Sequence, residues 1–267
     1  VSLCVMPLFH VHGLVGSTLA TFYSGGTVVV PPAFNALSFW PLAEKYRATW
    51  FSAVPAIHLM LLARAKGQGR PAGAERLRFI RSCSSALAPA TMAELESRFG
   101  VPVLEAYGMT EASHQMASNP LPPAARLPGS VGAGTGVDIA LMNDQGALLD
   151  AGAPGEVVIH GPNVTRGYED NPEANAASFT AGWFRTGDEG ILDAAGYLRL
   201  VGRIKELIVR GGEKISPREI DELLALHPAV SEVVSFGAPH RIYGEEVAAA
   251  VVLKAPATEA ELIAWCR

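Results

Sequence analysis

Over its first 120 residues the chain alternates short β-rich runs with helical runs, and few folds tolerate that pattern. VSLCVMP, GGTVVVPP, ATWFSAVP, LRFIRSCSS and VPVLEAYG read as strands bounded by Gly and Pro. HGLVGSTLATFYSGG, ALSFWPLAEKYRA, AIHLMLLARAK and APATMAELESRFG read as helices between them, with Pro55 opening one and Gly100 closing another. Strand and helix in strict turn predict α/β layering on a largely parallel sheet.

From Leu121 to Val201 the helix signals stop. VDIALMNDQGALL, GEVVIHGP and GWFRTGDEGILDAAGYLRLVG are short β runs punctuated by Gly, Pro and Asn-Asp, which predicts a small antiparallel, barrel-like region. A third unit begins at Lys205: a hairpin ELIVRGGEKI, a helix SPREIDELLALHP, the strands VSEVVSFGAP and EEVAAAVVLK, and a last helix TEAELIAWCR. Ser216-Pro217 with Glu219 is a helix-start signal. The expected organisation is residues 1–120 as α/β, 121–204 as a β-rich subdomain and 205–267 as part of an α+β lid. Val1 opens directly on an apolar run and Arg267 falls within a helical pattern, so a fragment of a longer protein is expected.

Composition narrows the function classes. Of 267 residues, 49% are hydrophobic and 18% charged, as in ordinary soluble globular proteins. A formal net charge of −5 disfavours a nucleic-acid surface. The three cysteines, Cys4, Cys83 and Cys266, fit no metal-ligand spacing, and a reducing cytoplasm is the expected setting. No apolar run approaches the roughly 20 residues of a membrane helix, and no secretory leader pattern is visible.

Three short segments carry the chemistry. In YGMTE, Thr110 and Glu111 follow a predicted strand, at the carboxyl end of the sheet where α/β proteins bind ligands. A hydroxyl beside a carboxylate suits a phosphate oxygen and a hydrated Mg²⁺, a hard cation that prefers oxygen; a solvated turn is the plain alternative. RTGD places Asp188 after a glycine turn, where a carboxylate can accept both ribose hydroxyls, and Arg203 supplies a fixed positive fork. Asp-Gly turns also make ordinary hairpins. GRIKELIVRGGEKISP, Gly202–Pro217, crowds glycines and paired charges around a Leu-Ile-Val core, as a junction between domains does.

The histidines are less specific. His10 and His12 in LFHVHG end the first strand, where a structural role is the usual one. His114 trails Glu111 by one short turn, and its plain reading is a solvent-facing residue.

Taken together and in this order, FHVHG, SCSSALAP, YGMTE, GEVVIHGPNVTRGY, WFRTGD and GRIKELIVRGGEKISP resemble the adenylate-forming superfamily: acyl-CoA synthetases, peptide-synthetase adenylation domains and luciferases. The resemblance covers almost the whole chain. It implies activation of a small-molecule carboxylic acid by MgATP to an acyl-adenylate, then transfer of the acyl group to the thiol of coenzyme A. By motif match, Thr110 would contact the α-phosphate and Glu111 the Mg²⁺. Ser84, Ser85, Ala86 and the backbone of Glu105, Ala106, Tyr107 and Gly108 would form the adenine slot, with the Tyr107 ring on the base. Asp188 and Arg203 would hold the ribose. His10 would gate the acyl and thiol pockets, Lys205 would be the hinge, and Gly211, Gly212 and Glu213 would meet the pantetheine arm. The family's phosphate loop would lie before FHVHG and its lid lysine beyond Arg267, so this stretch alone is expected to adenylate poorly.

YGMTEASHQMASNPLPP and RSCSSALAP look closest to oxalate–CoA ligases, and His10, Ser85 and His114 would offer donors to a second carboxylate. Medium-chain or aryl acids, a carrier protein as acceptor, and a non-catalytic nucleotide-binding module are the alternatives. An aspartate in place of the FHVHG histidine would favour an amino-acid substrate. A homo-oligomer is compatible with all of these.

Overall fold

The computed structural model describes residues Val1–Cys266 as three sheets with helices between and beside their strands. The first sheet has seven strands: Ser2–Leu3 (β1), Val28–Val29 (β2), Trp50–Ala53 (β3), Phe79–Ser82 (β4), Val103–Met109 (β5), His114–Ser118 (β6) and Ala133–Gly134 (β7). Their order is β2-β1-β3-β4-β5-β6-β7. Pairing is parallel from β2 through β5 and antiparallel from β5 to β7.

Helices return the chain between the parallel strands. An eight-residue wide-turn segment, His12–Leu19, runs into Ala20–Tyr23 (α1), and Phe39–Lys45 (α2), Pro55–Ala65 (α3) and Pro89–Phe99 (α4) follow. Proline occupies the first turn of α3 and α4, where its missing N–H costs no hydrogen bond. Gly100 ends α4 at φ +65, a left-handed position that glycine takes without a Cβ clash. Phe39, Phe51, Leu61, Ile80, Leu95 and Phe99 are fully buried in the core between these helices and the sheet. That burial drives the assembly, since each such side chain is worth about 1.5–3 kcal/mol removed from water.

The second sheet comprises Asp138–Met142 (β8), Pro154–His160 (β9), Phe179–Thr180 (β10), Trp183–Leu192 (β11) and Leu198–Arg203 (β12), in the order β10-β11-β9-β8 with β12 beside β11. Pro172–Ser178 (α5) leads into β10. Burial along β11 alternates residue by residue from Trp183 to Gly190, the period-2 signature of a strand with one covered face.

The third sheet holds Ile208–Arg210 (β13), Glu213–Ile215 (β14), Val230–His240 (β15) and Gly244–Leu253 (β16), ordered β14-β13-β16-β15 and antiparallel throughout. Pro217–Ala225 (α6) packs on β15, and Glu259–Trp265 (α7) closes the described chain with a Thr258–Glu261 capping box. The Ser216 side chain caps α6 by accepting from the Glu219 N–H.

By compactness the chain divides into two units. One holds Val1–Ala140, Val158–Phe184 and Leu192–Arg199; the other holds Leu141–Val157, Arg185–Ile191 and Leu200–Arg267. No described helix is long and apolar enough to cross a membrane.

Candidate active site

In the first unit, chemistry-bearing residues gather where the parallel strands end. β3 finishes at Ser52-Ala53, β4 at Ser82, and β5 at Met109 just before Thr110 and Glu111. The loop after β4 is tied to β5 by the Leu87 N–H donating to Glu105 Oε1 at 3.3 Å. Ser84, Ser85 and Ala86 are exposed on that loop, while Glu105, Ala106 and Tyr107 are buried in β5. Gly108 cannot be replaced here, because a Cβ would collide with the His114 carbonyl oxygen across the β5–β6 hairpin.

Thr110–Ala112 forms a single tight turn with Thr110 exposed and Glu111 half-buried. The GPNVTRGY segment wraps it. Tyr168 Oη donates to Glu111 Oε1 at 2.9 Å, the Thr165 N–H donates to the Glu111 carbonyl at 2.6 Å, and Asn163 Nδ2 donates to the Ala112 carbonyl at 2.8 Å. Burial and the Glu111 hydrogen bond push the Tyr168 phenol up from its ordinary value, so it stays a donor. One carboxylate held this way fits a hard cation that brings water and phosphate oxygens as its other ligands; no cluster of three or more His, Cys, Asp or Glu forms a metal cage among the described residues.

Beside this turn lies a cluster that joins His114 and Ser84, both named from the motifs, to Arg81, Ser52, Gln115 and His12, which the motifs did not single out. Arg81, near the end of β4, is 9% exposed. Its Nε donates to Ser52 Oγ at 2.9 Å, its Nη1 to Gln115 Oε1 at 2.9 Å and its Nη2 to the Gly16 carbonyl at 2.6 Å. His12, 2% exposed, shares hydrogen bonds with Ser52 Oγ at 2.6 Å and Ser84 Oγ at 3.0 Å. Its ring faces that of His114, with centroids 5.0 Å apart. Burial first, and then the charge of neighbouring groups, lowers the His12 imidazole to about 3 and that of His114 to about 4. Both are therefore neutral at pH 7. Ser84, Ser113 and His114 all hold positive φ, at 71, 53 and 89, a strained backbone for non-glycine residues that concentrates at functional sites.

His114 thus lies inside this cluster rather than facing solvent. His10 does not join it: the ring is exposed and packs on Phe9 with centroids 4.6 Å apart. Ser85 is exposed one residue past Ser84, which makes the contact to His12. His12, two positions after His10, is buried, and Ser84, exposed on its loop, reaches it through the hydroxyl.

The second unit carries the RTGD turn. Arg203 Nε lies 2.9 Å from Asp188 Oδ1, and Arg203 Nη1 donates to the Thr186 carbonyl at 3.1 Å. The Asp188 side chain is 9% exposed and that of Arg203 is 51% exposed, so the carboxylate is sheltered and its partner reaches solvent. Glu156 on β9 holds the turn from below. It pairs with Arg185 through both guanidinium Nε and Nη2, and its other oxygen accepts the Gly187 N–H at 3.0 Å. Thr186 Oγ1 donates to the Val157 carbonyl at 2.7 Å and accepts the Asp188 N–H at 3.1 Å.

Lys205 is exposed in the short turn Ile204–Glu206 and lines, with Arg203, a groove of about 470 Å³. Beyond it, Gly211 and Gly212 connect β13 to β14 with φ of 62 and 93, the mirror-image turn that a two-residue hairpin requires. The Gly211 N–H donates to the Tyr243 carbonyl at 2.8 Å, and the Arg210 guanidinium stands 4.3 Å from the Tyr243 ring centroid. Glu213 is exposed at the first position of β14.

Residues 1–169 match the AMP-binding enzyme family and residues 219–267 match the AMP-binding enzyme C-terminal domain; the chain belongs to the AMP-binding enzyme family. It is 52% identical over 268 residues to an oxalate–CoA ligase of Arabidopsis thaliana, covering 98% of this chain and 52% of that protein. It is 43% identical to a sulfoacetate–CoA ligase of Cupriavidus necator, covering 99% of this chain and 52% of that one. The ATP-bound crystal structure of MatB from Rhodopseudomonas palustris superposes with a TM-score of 0.92 at 33% identity, over 99% of this chain and 52% of MatB. The chain thus spans about half the length of the curated relatives it matches.

Proposed function

We propose that the protein carrying this chain is an ATP-dependent acid–thiol ligase that makes an acyl-adenylate and then an acyl-CoA, from oxalate or another short acid bearing a second anionic group. The observation that carries the reading is the sheltered Asp188 carboxylate fixed against Arg203, in a family defined by AMP binding. A carboxylate that accepts two vicinal hydroxyls selects a ribose. The family and the names of the relatives, oxalate–CoA ligase and sulfoacetate–CoA ligase, support the chemistry.

The first reaction joins a carboxylate oxygen of the acid to the α-phosphorus of ATP and expels pyrophosphate. Thr110 donates to the α-phosphate, where negative charge builds. Glu111, steadied by Tyr168, would hold Mg²⁺, which when bound neutralises phosphate charge and polarises the leaving group. Ser84 to Ala86 and the β5 residues Glu105 to Gly108 border the adenine, and Asp188 with Arg203 fixes the ribose. In the second reaction the thiol of coenzyme A attacks the acyl carbon and AMP leaves. The left-handed Gly211-Gly212 turn lets the pantetheine arm pass close to backbone, with Glu213 beside it. His10, exposed, would act as the gate between acid and thiol, and Lys205 as the pivot of the lid. Residues 1–120, 121–204 and 205–267 are then the α/β part, the β-rich part and the lid part of one enzyme.

A pyrophosphate-release screen of the whole protein with oxalate, malonate, hexanoate and coumarate tests this. Oxalate-dependent release is expected, and a preference for hexanoate over oxalate would overturn the substrate class.

A further inference from the structure

The helices α2, α3 and α4 end, and the strands β3, β4 and β5 begin, at the end of the first sheet away from Thr110 and Glu111. Positive charge collects there. Residues 44–98 carry nine Lys or Arg against four Glu, a net +5 within a chain of −5. Lys45, Arg64, Lys66 and Arg98 stand at the ends of the helices, where the helix dipole favours a cation. Arg70, Arg76 and Arg78 lie further on, in the connection from α3 to β4, and Arg47 in that from α2 to β3. Of these eight, Arg76 alone has an ion-pair partner among the described residues, its neighbour Glu75 at 3.5 Å. In the rest of the chain Arg126, Arg185, Arg203, Arg210, Lys214 and Arg218 are all paired. The cations at this end therefore repel one another without a compensating carboxylate, and their field attracts anions.

A groove of about 440 Å³ opens within the patch, between residues 68–70 and the last turn of α4. Two guanidinium groups line it and are held by backbone. Arg70 Nη2 donates to the Ala74 carbonyl at 2.9 Å, and Arg98 Nη1 donates to the Gln68 carbonyl at 2.9 Å. Gly100 closes α4 beneath Arg70, where a Cβ would stand 3.1 Å from the guanidinium carbon. Arginine carries five N–H groups, and these bonds occupy one Nη of each fork. The remaining donors have no described acceptor. Ser97 adds a hydroxyl, and Glu94 is the one carboxylate in the lining, outnumbered by the two cations.

We propose that this groove binds a phosphate group, carried either by a free phosphoester or by a phospholipid headgroup. A carboxylate has two oxygens and one charge, which a single arginine fork saturates. A phosphate monoester has three terminal oxygens and a charge of about −1.5 to −2, enough for two separate forks and a hydroxyl. The groove has room for the phosphate and for the group that bears it. The surrounding cations add a steering field that salt screens.

Two binding experiments on the whole protein separate the sources. Calorimetric titration with glycerol 3-phosphate at constant ionic strength tests the free form. Co-sedimentation with phosphatidylcholine vesicles, with and without phosphatidate, tests the lipid-borne form. Saturable binding of glycerol 3-phosphate without vesicle binding assigns the site to a free phosphoester. Phosphatidate-dependent sedimentation that glycerol 3-phosphate competes away assigns it to a headgroup. R70Q and R98Q are each expected to weaken the binding roughly 10-fold, as for loss of a charged hydrogen bond, and T110V to leave it unchanged. If the arginine variants fail to fold, S97D gives the second reading, because it keeps both arginines and sets a negative charge in the groove; it too should weaken binding roughly 10-fold. The proposal is overturned by absence of binding in both experiments, or by acetate or malonate binding as tightly as glycerol 3-phosphate. Affinity indifferent to R70Q, R98Q and S97D, or lost in T110V, would overturn it as well.

Discussion

The imidazoles of His12 and His114 lie with ring centroids 5.0 Å apart inside the first unit, and neither carries a proton charge at neutral pH. Their neutrality has a consequence for stability. An unfolded histidine takes up a proton near pH 6.5, whereas these hold out to about 3 and about 4 in the fold. Between those values the unfolded chain binds more protons, so stability is full above pH 6.5 and falls as pH drops toward 4. The loss amounts to ~3 kcal/mol for His114 alone on the scale of 1.36 kcal/mol per pH unit. Urea midpoints measured from pH 8 to pH 4 should fall steadily below pH 6.5, and H114F should flatten that decline.

Glu156 supports the turn that carries Asp188, the proposed ribose carboxylate. It grips Arg185 and the Gly187 N–H on either side of the turn that aims Asp188. Glu156→Gln keeps the shape and removes the charge, so a charge-assisted hydrogen bond of about 1.5–3 kcal/mol is weakened. If the turn serves the nucleotide as proposed, KM for ATP should rise on the order of 10-fold with KM for the acid unchanged. A parallel rise in both constants would show a general loss of structure instead.

Asp188 itself should be far more costly to remove. Asp188→Ala deletes the proposed acceptor of the ribose hydroxyls and removes the carboxylate 2.9 Å from Arg203 Nε. ATP-dependent turnover should drop on the order of 100-fold, as for loss of a charged hydrogen bond pair. The preference for ATP over 2′-deoxy-ATP should collapse in the same variant, which a merely destabilised protein would retain.

The parallel-sheet core makes its own prediction. Leu95 on α4 is fully buried among Phe and Leu side chains, so Leu95→Ala removes packed methyl groups and leaves a cavity. A loss of about 2–5 kcal/mol in chemical denaturation is expected.

Much of this architecture is legible in local pattern. Strand–helix alternation over the first 120 residues is enough to anticipate the parallel sheet, because each element declares itself within a few residues. Gly211-Gly212 between two β runs announces a tight hairpin for the same reason, since only glycine takes both left-handed positions cheaply. The cluster around Arg81 is of another kind. Arg81 stands in the apolar-looking strand FIRS, and its partners Gly16, Ser52 and Gln115 lie 65, 29 and 34 residues away. Nothing local marks it as buried. His10 and His12 differ by two positions, and the sequence alone has no means of telling which side of the bend after β1 faces inward. Glu156 and Tyr168 were likewise invisible as supports, because each acts through a turn that is distant in sequence.

In the proposed reaction a carboxylate oxygen of the acid becomes bonded to the α-phosphorus of ATP. Oxalate labelled with ¹⁸O, incubated with the whole protein, ATP, Mg²⁺ and coenzyme A, tests that bond directly. Mass spectrometry should find one ¹⁸O atom in the AMP released, because the acyl–oxygen bond is the one the thiol breaks. Unlabelled AMP, or label found in inorganic phosphate with ADP as the product, would contradict the account.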